Sequence, residues 1–320
     1  MNSSFPTYSF VIPAYNEAAD IADTLESVWA QRYPAQEIIV VDDASTDETP
    51  DIVRDLKNRG RDVTLIAHEM NRGLAAARNT GALAAQGDVV VFLDADDQPP
   101  PDFLQRLTPL YSQGFDCVSV GARVSHRDVF GRYYQADHEV CYTGTRASKV
   151  GYTAAFSCRR DVALSVPFAE ELPGAGGGED VEFFEGLMRR GYSRAADFSI
   201  VVDLRLPTGL RGFWKHWVRR GRSKPYLCHF VKRRRMAVVV GRRVLVIGRT
   251  IVLVLTFAPA AVAAVRRARR SPRRLRDLPA FWLFYHLELV GPRIGELRSI
   301  LEIFKSRRIS TSQHPVSTLD

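Results

Sequence analysis

The sequence predicts an α/β protein built on a mostly parallel sheet flanked by helices, followed by a basic helical region. Three observations carry that expectation. Short runs of β-branched and aromatic residues alternate with segments of helical period over the first hundred residues. The run at Val89 to Leu93 is apolar throughout, as strands covered on both faces are. The last hundred residues abandon the alternation for long apolar and arginine-rich stretches.

Taken in order, residues 8–12, 37–41, 63–67 and 89–93 are the expected strands, and 18–32, 49–59 and 74–85 the helices between them. Strand–helix–strand order implies parallel strands joined by right-handed crossovers. Ligands of such sheets bind beyond the carboxyl ends of the strands. The segments following the first, second and fourth strands are Pro13-Ala14-Tyr15-Asn16-Glu17, Asp42-Asp43-Ala44-Ser45 and Asp94-Ala95-Asp96-Asp97. They should therefore meet on one edge. Pro99-Pro100-Pro101 opens a helix reaching residue 111, and 115–120 reads as a further strand. Residues 122–150 are polar and give no clear assignment. Residues 174–178 form a glycine-rich, flexible loop, and Glu179 and Asp180 begin a helix to residue 190.

A chain of 320 residues buries a large core and forms one or two domains. Its charge is uneven. Residues 1–204 hold 18 Lys and Arg against 31 Asp and Glu, whereas residues 205–320 hold 26 against 5. An acidic globular part is thus joined to a strongly basic one. The four cysteines, Cys117, Cys141, Cys158 and Cys228, lack metal or redox spacing and read as buried thiols in a reducing compartment. Residues 1–8 lack the pattern of a signal peptide, so the globular part is expected on the cytosolic side.

The basic clusters at 232–235, 242–243 and 266–276 bracket the apolar run 244–265. A spanning helix needs roughly 20 predominantly apolar residues, and this run is interrupted by Gly248, Arg249, Thr250, Thr256 and Pro259. Both flanks are positive, so a single span would leave one on the wrong side. A kinked, re-entrant or in-plane segment fits better, with Pro259 supplying the bend. Residues 278–290 add Phe281, Trp282, Phe284 and Tyr285, the pattern of an interfacial helix. A membrane surface is the expected partner and nucleic acid is not, since no nucleic-acid-binding signature is present. A buried helix of a soluble domain is the competing reading.

The chemistry concentrates at Asp94, Asp96 and Asp97. Three carboxylates at one strand end repel one another unless a counter-charge is present, most simply a hard divalent cation such as Mg²⁺ or Mn²⁺. Asp96 is the first choice of metal ligand, with Asp94 in support and Asp97 as a turn residue. Asp43, beside Asp42, follows a buried strand and is placed to accept hydrogen bonds from a base or ribose. An Asx turn with Ser45 or Thr46 is its structural alternative. Glu17 is either a ligand contact or a first-turn acid. Arg78 either reaches a phosphate or forms a salt bridge to a core acid. The histidines show no metal spacing.

These segments, with Asp42 to Asp47, Asn71-Arg72-Gly73-Leu74 through Arg78-Asn79, Phe92 to Asp97 and Gly176-Gly177-Gly178-Glu179-Asp180, resemble the family 2 glycosyltransferases. The resemblance covers roughly residues 7–225. It implies the Rossmann-like architecture called GT-A and a nucleoside-diphosphate sugar as co-substrate. Pro13, Ala14, Tyr15, Glu17, Asp42, Asp43, Arg78 and Asp94 would be donor contacts, and Asp94 and Asp96 would hold the metal. It makes Asp180 the general base of an inverting transfer to a hydroxyl, with Glu179 a lesser contributor. The expected domains are 1–225 catalytic, 226–305 helical and membrane-associated at the cytoplasmic face, and 306–320 a disordered tail.

The region around Trp214, Lys215 and Trp217 departs from the Gln-x-x-Arg-Trp signature of processive synthases, which points to one sugar per encounter. The acceptor would be lipid-linked or membrane-proximal, as in cell-surface polysaccharide or glycolipid synthesis. A nucleotidyltransferase would share the sheet and the acids, but it carries a glycine- and lysine-rich first loop that Pro13 to Glu17 lacks. A non-catalytic membrane scaffold is the remaining alternative.

Overall fold

The computed structural model describes residues 5–142, 155–170, 179–226, 228–229, 234–255 and 257–312. The chain divides into two compact units, 1–170 with 179–206, and 171–178 with 207–320. The second boundary lies beside the change of charge at residue 205, where sequence reasoning drew a domain limit at 225.

The first unit opens with β1 (Tyr8–Ala14), α1 (Ile21–Trp29), β2 (Glu37–Asp42), α2 (Thr49–Asn58), β3 (Thr64–Ala67), α3 (Leu74–Ala84) and β4 (Val89–Phe92). It continues through β5 (Asp97–Gln98), α4 (Phe103–Ser112), β6 (Cys117–Val124), α5 (Val129–Tyr142) and β7 (Phe156–Arg159). It ends with α6 (Arg160–Ser165), α7 (Glu179–Arg189) and β8 (Arg194–Leu204). The sheet order is β3-β2-β1-β4-β7-β6-β8-β5. β3, β2, β1 and β4 run parallel, β7 turns antiparallel to β4 and β6, and β6 pairs parallel with β8.

Strict alternation along the central strands makes the layers. Phe10, Ile12, Val40, Val89 and Val91 face a core shared with Ile21 and Leu25 of α1 and with Phe103, Leu104 and Leu107 of α4. Val11, Ile39, Val41, Val90 and Phe92 face Ala75 and Ala77 of α3 and Phe183, Phe184 and Leu187 of α7. Period-two side chains that are apolar on both faces demand helices on both faces. Each fully buried side chain of this size contributes about 1.5–3 kcal/mol.

Several boundaries differ from the expectation. β1 extends to Ala14, so Pro13 and Ala14 are strand residues, opposite Val41 and Asp42. α1 starts only at Ile21, because residues 18–20 form a turn closed by the amides of Asp20 and Ile21 on the Glu17 carbonyl. The unassigned region contains α5, whose turns are hidden in a mixed polar and aromatic sequence. Cys117 and Cys158, opposite each other on β6 and β7, are free and buried, and Cys228 is half-buried and free. The side chain of Cys141 and the loop expected at 174–178 lie outside the described residues.

α3 lies against β1 at close range. A Cβ placed on Gly81 would sit 2.2 Å from Val11 Cγ1. Gly81→Ala gains about 1 kcal/mol of intrinsic helix propensity, yet the overpacking is expected to cost about 1–3 kcal/mol. A lowered urea midpoint with unchanged slope is the expected measurement; a raised midpoint would show that Val11 moves aside freely.

The second unit comprises α8 (Gly209–Tyr226), α9 (Met236–Leu255), α10 (Phe257–Ala268) and α11 (Arg274–Ser312). α8 and α11 meet almost backbone to backbone: a Cβ on Gly295 would lie 2.0 Å from the Val218 carbonyl oxygen. Phe281 and Phe284, expected in an interfacial helix, are buried, and Phe284 meets Phe213 of α8 at 4.8 Å between ring centroids. These aromatics are core residues of the unit. Residues 306–312, drawn from sequence into the tail, continue α11, since extending a formed helix costs far less than nucleating one. Residues 313–320 lie outside the described residues.

Candidate active site

The loops leaving β1 and β2 are laced together. The Asn16 amide donates to Ser45 Oγ (2.9 Å), and the Thr46 amide donates to Asn16 Oδ1 (2.8 Å). The Glu17 amide donates to Thr49 Oγ1 (2.8 Å) and the Ala18 amide to Asp47 Oδ2 (3.1 Å). Burial works against the Asp47 charge, but hydrogen bonds from Thr49 and Ala18 outweigh it and hold the carboxyl below its ordinary pKa. Asn16 and Ala44 adopt left-handed backbone, φ 59° and 60°, which turns both chains sharply at the strand ends. Pro13 and Ala14 are buried at this mouth, and Tyr15 is exposed above it.

Asp43 is spent on the fold. Its two oxygens accept the amides of Arg72 (2.8 Å) and Gly73 (2.7 Å) at the start of α3. His68 Nδ1 lies 2.7 Å from Oδ1, and Asn71 donates to the Asp43 carbonyl. An acid at a helix N-terminus is stabilising there. Asp42 makes the Asx turn, through Oδ2 and the Ser45 amide, at 3.3 Å. Its other oxygen, Oδ1, is buried without a hydrogen-bond partner among the described residues. Asp42 Oδ1 is thus a buried acceptor that no described residue uses, whereas both Asp43 oxygens already accept backbone amides.

Arg78 is the electrostatic centre. It is 1% exposed on α3 and donates to Asp94 Oδ1 (2.7 Å) after β4 and to Glu179 Oε1 (3.2 Å) at the first residue of α7. Burial disfavours its charge, but Asp94 and Glu179 more than offset this and raise its pKa. Glu179 is itself raised, by burial first: Arg78 works the other way, while neighbouring Asp180 and Asp94 repel the charge. Of the two readings of Arg78, the structure shows the salt bridge.

Asp94, Asp96 and Asp97 share one turn, closed by the Asp97 amide on the Asp94 carbonyl at 3.1 Å. Asp94 is 34% exposed at its side chain and Asp96 half-buried. Asp97 is 3% exposed, since β5 pins it opposite Leu204 of β8. Its Oδ2 has no hydrogen-bond partner among the described residues. Burial raises its pKa well above the ordinary range, and the charges of Asp94, Asp96 and Glu17 add to that. Sequence reasoning treated Asp97 as a turn residue; nothing local signals a burial imposed by a strand a hundred residues away. Asp180 is half-buried at the start of α7, within electrostatic reach of Arg78 and Glu179.

The fold thus gathers Glu17, Arg78, Asp94, Asp96, Asp97, Glu179 and Asp180 into one charged neighbourhood. Among the described residues no group of three or more His, Cys, Asp or Glu is arranged to enclose a metal ion. Mutually repelling carboxylates with an unsatisfied oxygen fit a Mg²⁺-type ion. Such an ion takes one or two carboxylates and completes its shell with phosphate oxygens and water.

A parallel half-sheet whose strand ends carry this acidic edge defines an α/β protein with its ligand edge at the carboxyl ends of the strands. Residues 9–172 match the family model described as glycosyl transferase family 2, and the chain belongs to that family. It is 30% identical over 200 residues to the glycosyltransferase AglE of Haloferax volcanii, covering 60% of this chain and 65% of that protein. It is 43% identical over 102 residues to the succinoglycan biosynthesis protein ExoO of Rhizobium meliloti, covering 32% and 29%. The match spans less than two thirds of either curated relative. A mannosyltransferase of Pyrobaculum calidifontis, solved in complex with GDP-Man and Mn²⁺, has the same fold. It has a TM-score of 0.63 and 21% identity, covering 94% of this chain and 88% of that one. The fold is GT-A, as the sequence implied.

Proposed function

We propose that the protein transfers a sugar from a nucleoside-diphosphate donor to an acceptor hydroxyl with inversion, acting as a metal-dependent, hexosyltransferase-type enzyme. The observation that carries this reading is the Arg78 fork, which holds the start of α7 and Asp180 in the same charged neighbourhood as Asp94 and Asp96. Asp42 Oδ1 accepts from the base or ribose, beside Pro13, Ala14 and Tyr15. Asp94 and Asp96 would hold a divalent cation, which when bound would supply Lewis-acid neutralisation of the diphosphate. Asp180 takes the proton of the acceptor hydroxyl as its oxygen bonds to the anomeric carbon. The bond from that carbon to the diphosphate oxygen breaks, and the nucleoside diphosphate leaves with the electron pair. One displacement from the opposite face inverts the configuration. Intact acids at Asp94, Asp96 and Asp180 speak against a non-catalytic scaffold.

The acceptor is lipid-linked or membrane-proximal, and the enzyme works at the cytoplasmic face in cell-surface polysaccharide or glycolipid synthesis. The naming of the rhizobial relative for succinoglycan biosynthesis and the basic helical region support this. Thermal melts with a panel of nucleotide sugars, with and without Mn²⁺, test the donor reading. A cognate donor well above its Kd is expected to raise Tm by about 5 °C with Mn²⁺. Asp96→Ala is expected to lose the Mn²⁺-dependent part. Equal stabilisation in chelator would remove the metal role.

A further inference from the structure

We infer that the outer face of α9, continued by α10, docks on an anionic lipid bilayer and lies in the plane of its surface. The inference deepens the membrane-proximal reading and rests on it for the location of the acceptor. The two faces of α9 differ sharply. Met236 and Val239 are buried with Tyr226, Ile300 and Ile303, and Arg243 donates to Glu296 of α11 at 3.2 Å. On the other face Val238, Leu245 and Val252 are 44%, 75% and 59% exposed. Spaced by seven, they form one stripe along the helix. Val244 and Ile251 widen it on one side, and the exposed Arg242 and Arg249 edge the other. On α10, Val262 and Val265 are exposed beside Arg266. An apolar stripe edged by arginine is the composition of helices that lie in the membrane interface.

Charge selects the partner. No Asp or Glu occurs between residues 205 and 276. Among the described residues the acids further along are engaged within the unit: Glu288 by Arg267, Glu296 by Arg243 and Arg293, Glu302 by Arg222, and buried Asp277 by the Ser271 hydroxyl. The exposed arginines of α9 and α10 therefore have no acidic counterpart on their own segment. A second copy docked through the same face would bring like charge to like and be repelled, and docking through its acidic unit would show as a change of oligomeric state. Nucleic acid would use the arginines but leave the valine and leucine stripe in water. An anionic bilayer satisfies both, with headgroup phosphates for the arginines and acyl chains for the stripe. No single helix among the described residues is long and apolar enough to cross a membrane, and the α9–α10 pair passes that test only with a 77° bend. Positive charge on both flanks keeps both ends on one side.

Flotation of the full chain with vesicles tests this without donor or acceptor. Binding is expected to phosphatidylglycerol–phosphatidylcholine vesicles and not to pure phosphatidylcholine, and it should weaken with salt. Leu245→Glu with Val252→Glu is expected to reduce binding about tenfold or more, and Arg242→Glu with Arg249→Glu likewise. Both pairs are exposed, so Tm and donor stabilisation should stay unchanged. Equal binding to neutral vesicles or no effect of either pair would overturn the inference. So would release by detergent alone, tighter binding to duplex DNA than to vesicles, or a change confined to oligomeric state. Donor stabilisation lost while flotation persists would sink the transferase reading and leave this one standing.

Discussion

Asp180→Asn is expected to lower kcat by about 10²–10⁴-fold, the usual worth of a positioned general base, while donor-induced stabilisation stays near that of the wild type. The amide keeps the size of the carboxylate and removes its ability to take a proton. Asp180 occupies the start of α7, half-buried and beside Glu179. Loss of its charge at a helix N-terminus costs about 0.3–1 kcal/mol, too little to unfold the domain. The informative measurement is turnover alongside donor titration on the same preparation. Undiminished turnover would remove Asp180 as the base. Loss of donor binding with turnover would move it from acceptor chemistry to donor contact.

Arg78→Leu carries the largest expected effect on stability. It leaves Asp94 and the buried Glu179 facing each other, with Asp180 close by and no cation between them. Breaking a buried pair by removing one partner typically costs about 3–5 kcal/mol. That corresponds to a fall in Tm of about 10 °C for a domain of this size. Adding Glu179→Gln should recover part of the loss, because it removes one of the stranded charges. Arg78→Lys should fall between, since a lysine is a point charge that cannot fork to two carboxylates. Tm values for the four proteins check the ordering. If Arg78→Leu melts like the wild type, the fork is not what holds α7 to the acidic turn.

These variants separate what composition announces from what packing assigns. The central strands were legible because Ile38 to Val41 and Val89 to Phe92 are apolar on both alternating faces, and Tyr8 to Ile12 is so apart from Ser9, the pattern of a sheet buried on both sides. The position of the acids after those strands followed from the same periodicity. α5 was not legible, because its burial rests on scattered residues such as Tyr133 and Ala136 within a polar background. The aromatics of α11 looked interfacial because sequence cannot distinguish a ring facing lipid from one facing Phe213.

By itself, the sequence determined the α/β class, the family, and the collection of carboxylates at one edge of the sheet. It also determined the charge asymmetry on which the bilayer inference rests. Only the tertiary structure decided which carboxylates are spent and which remain. Asp43 is consumed by the amides of Arg72 and Gly73, while neighbouring Asp42 keeps a buried oxygen without a partner among the described residues. Asp97 is buried by pairing with β8, and Arg78 is turned to Asp94 and Glu179. The physical reason is common to all three. A carboxylate's availability depends on the donors and dielectric around it, and those are brought there by segments far away in the chain.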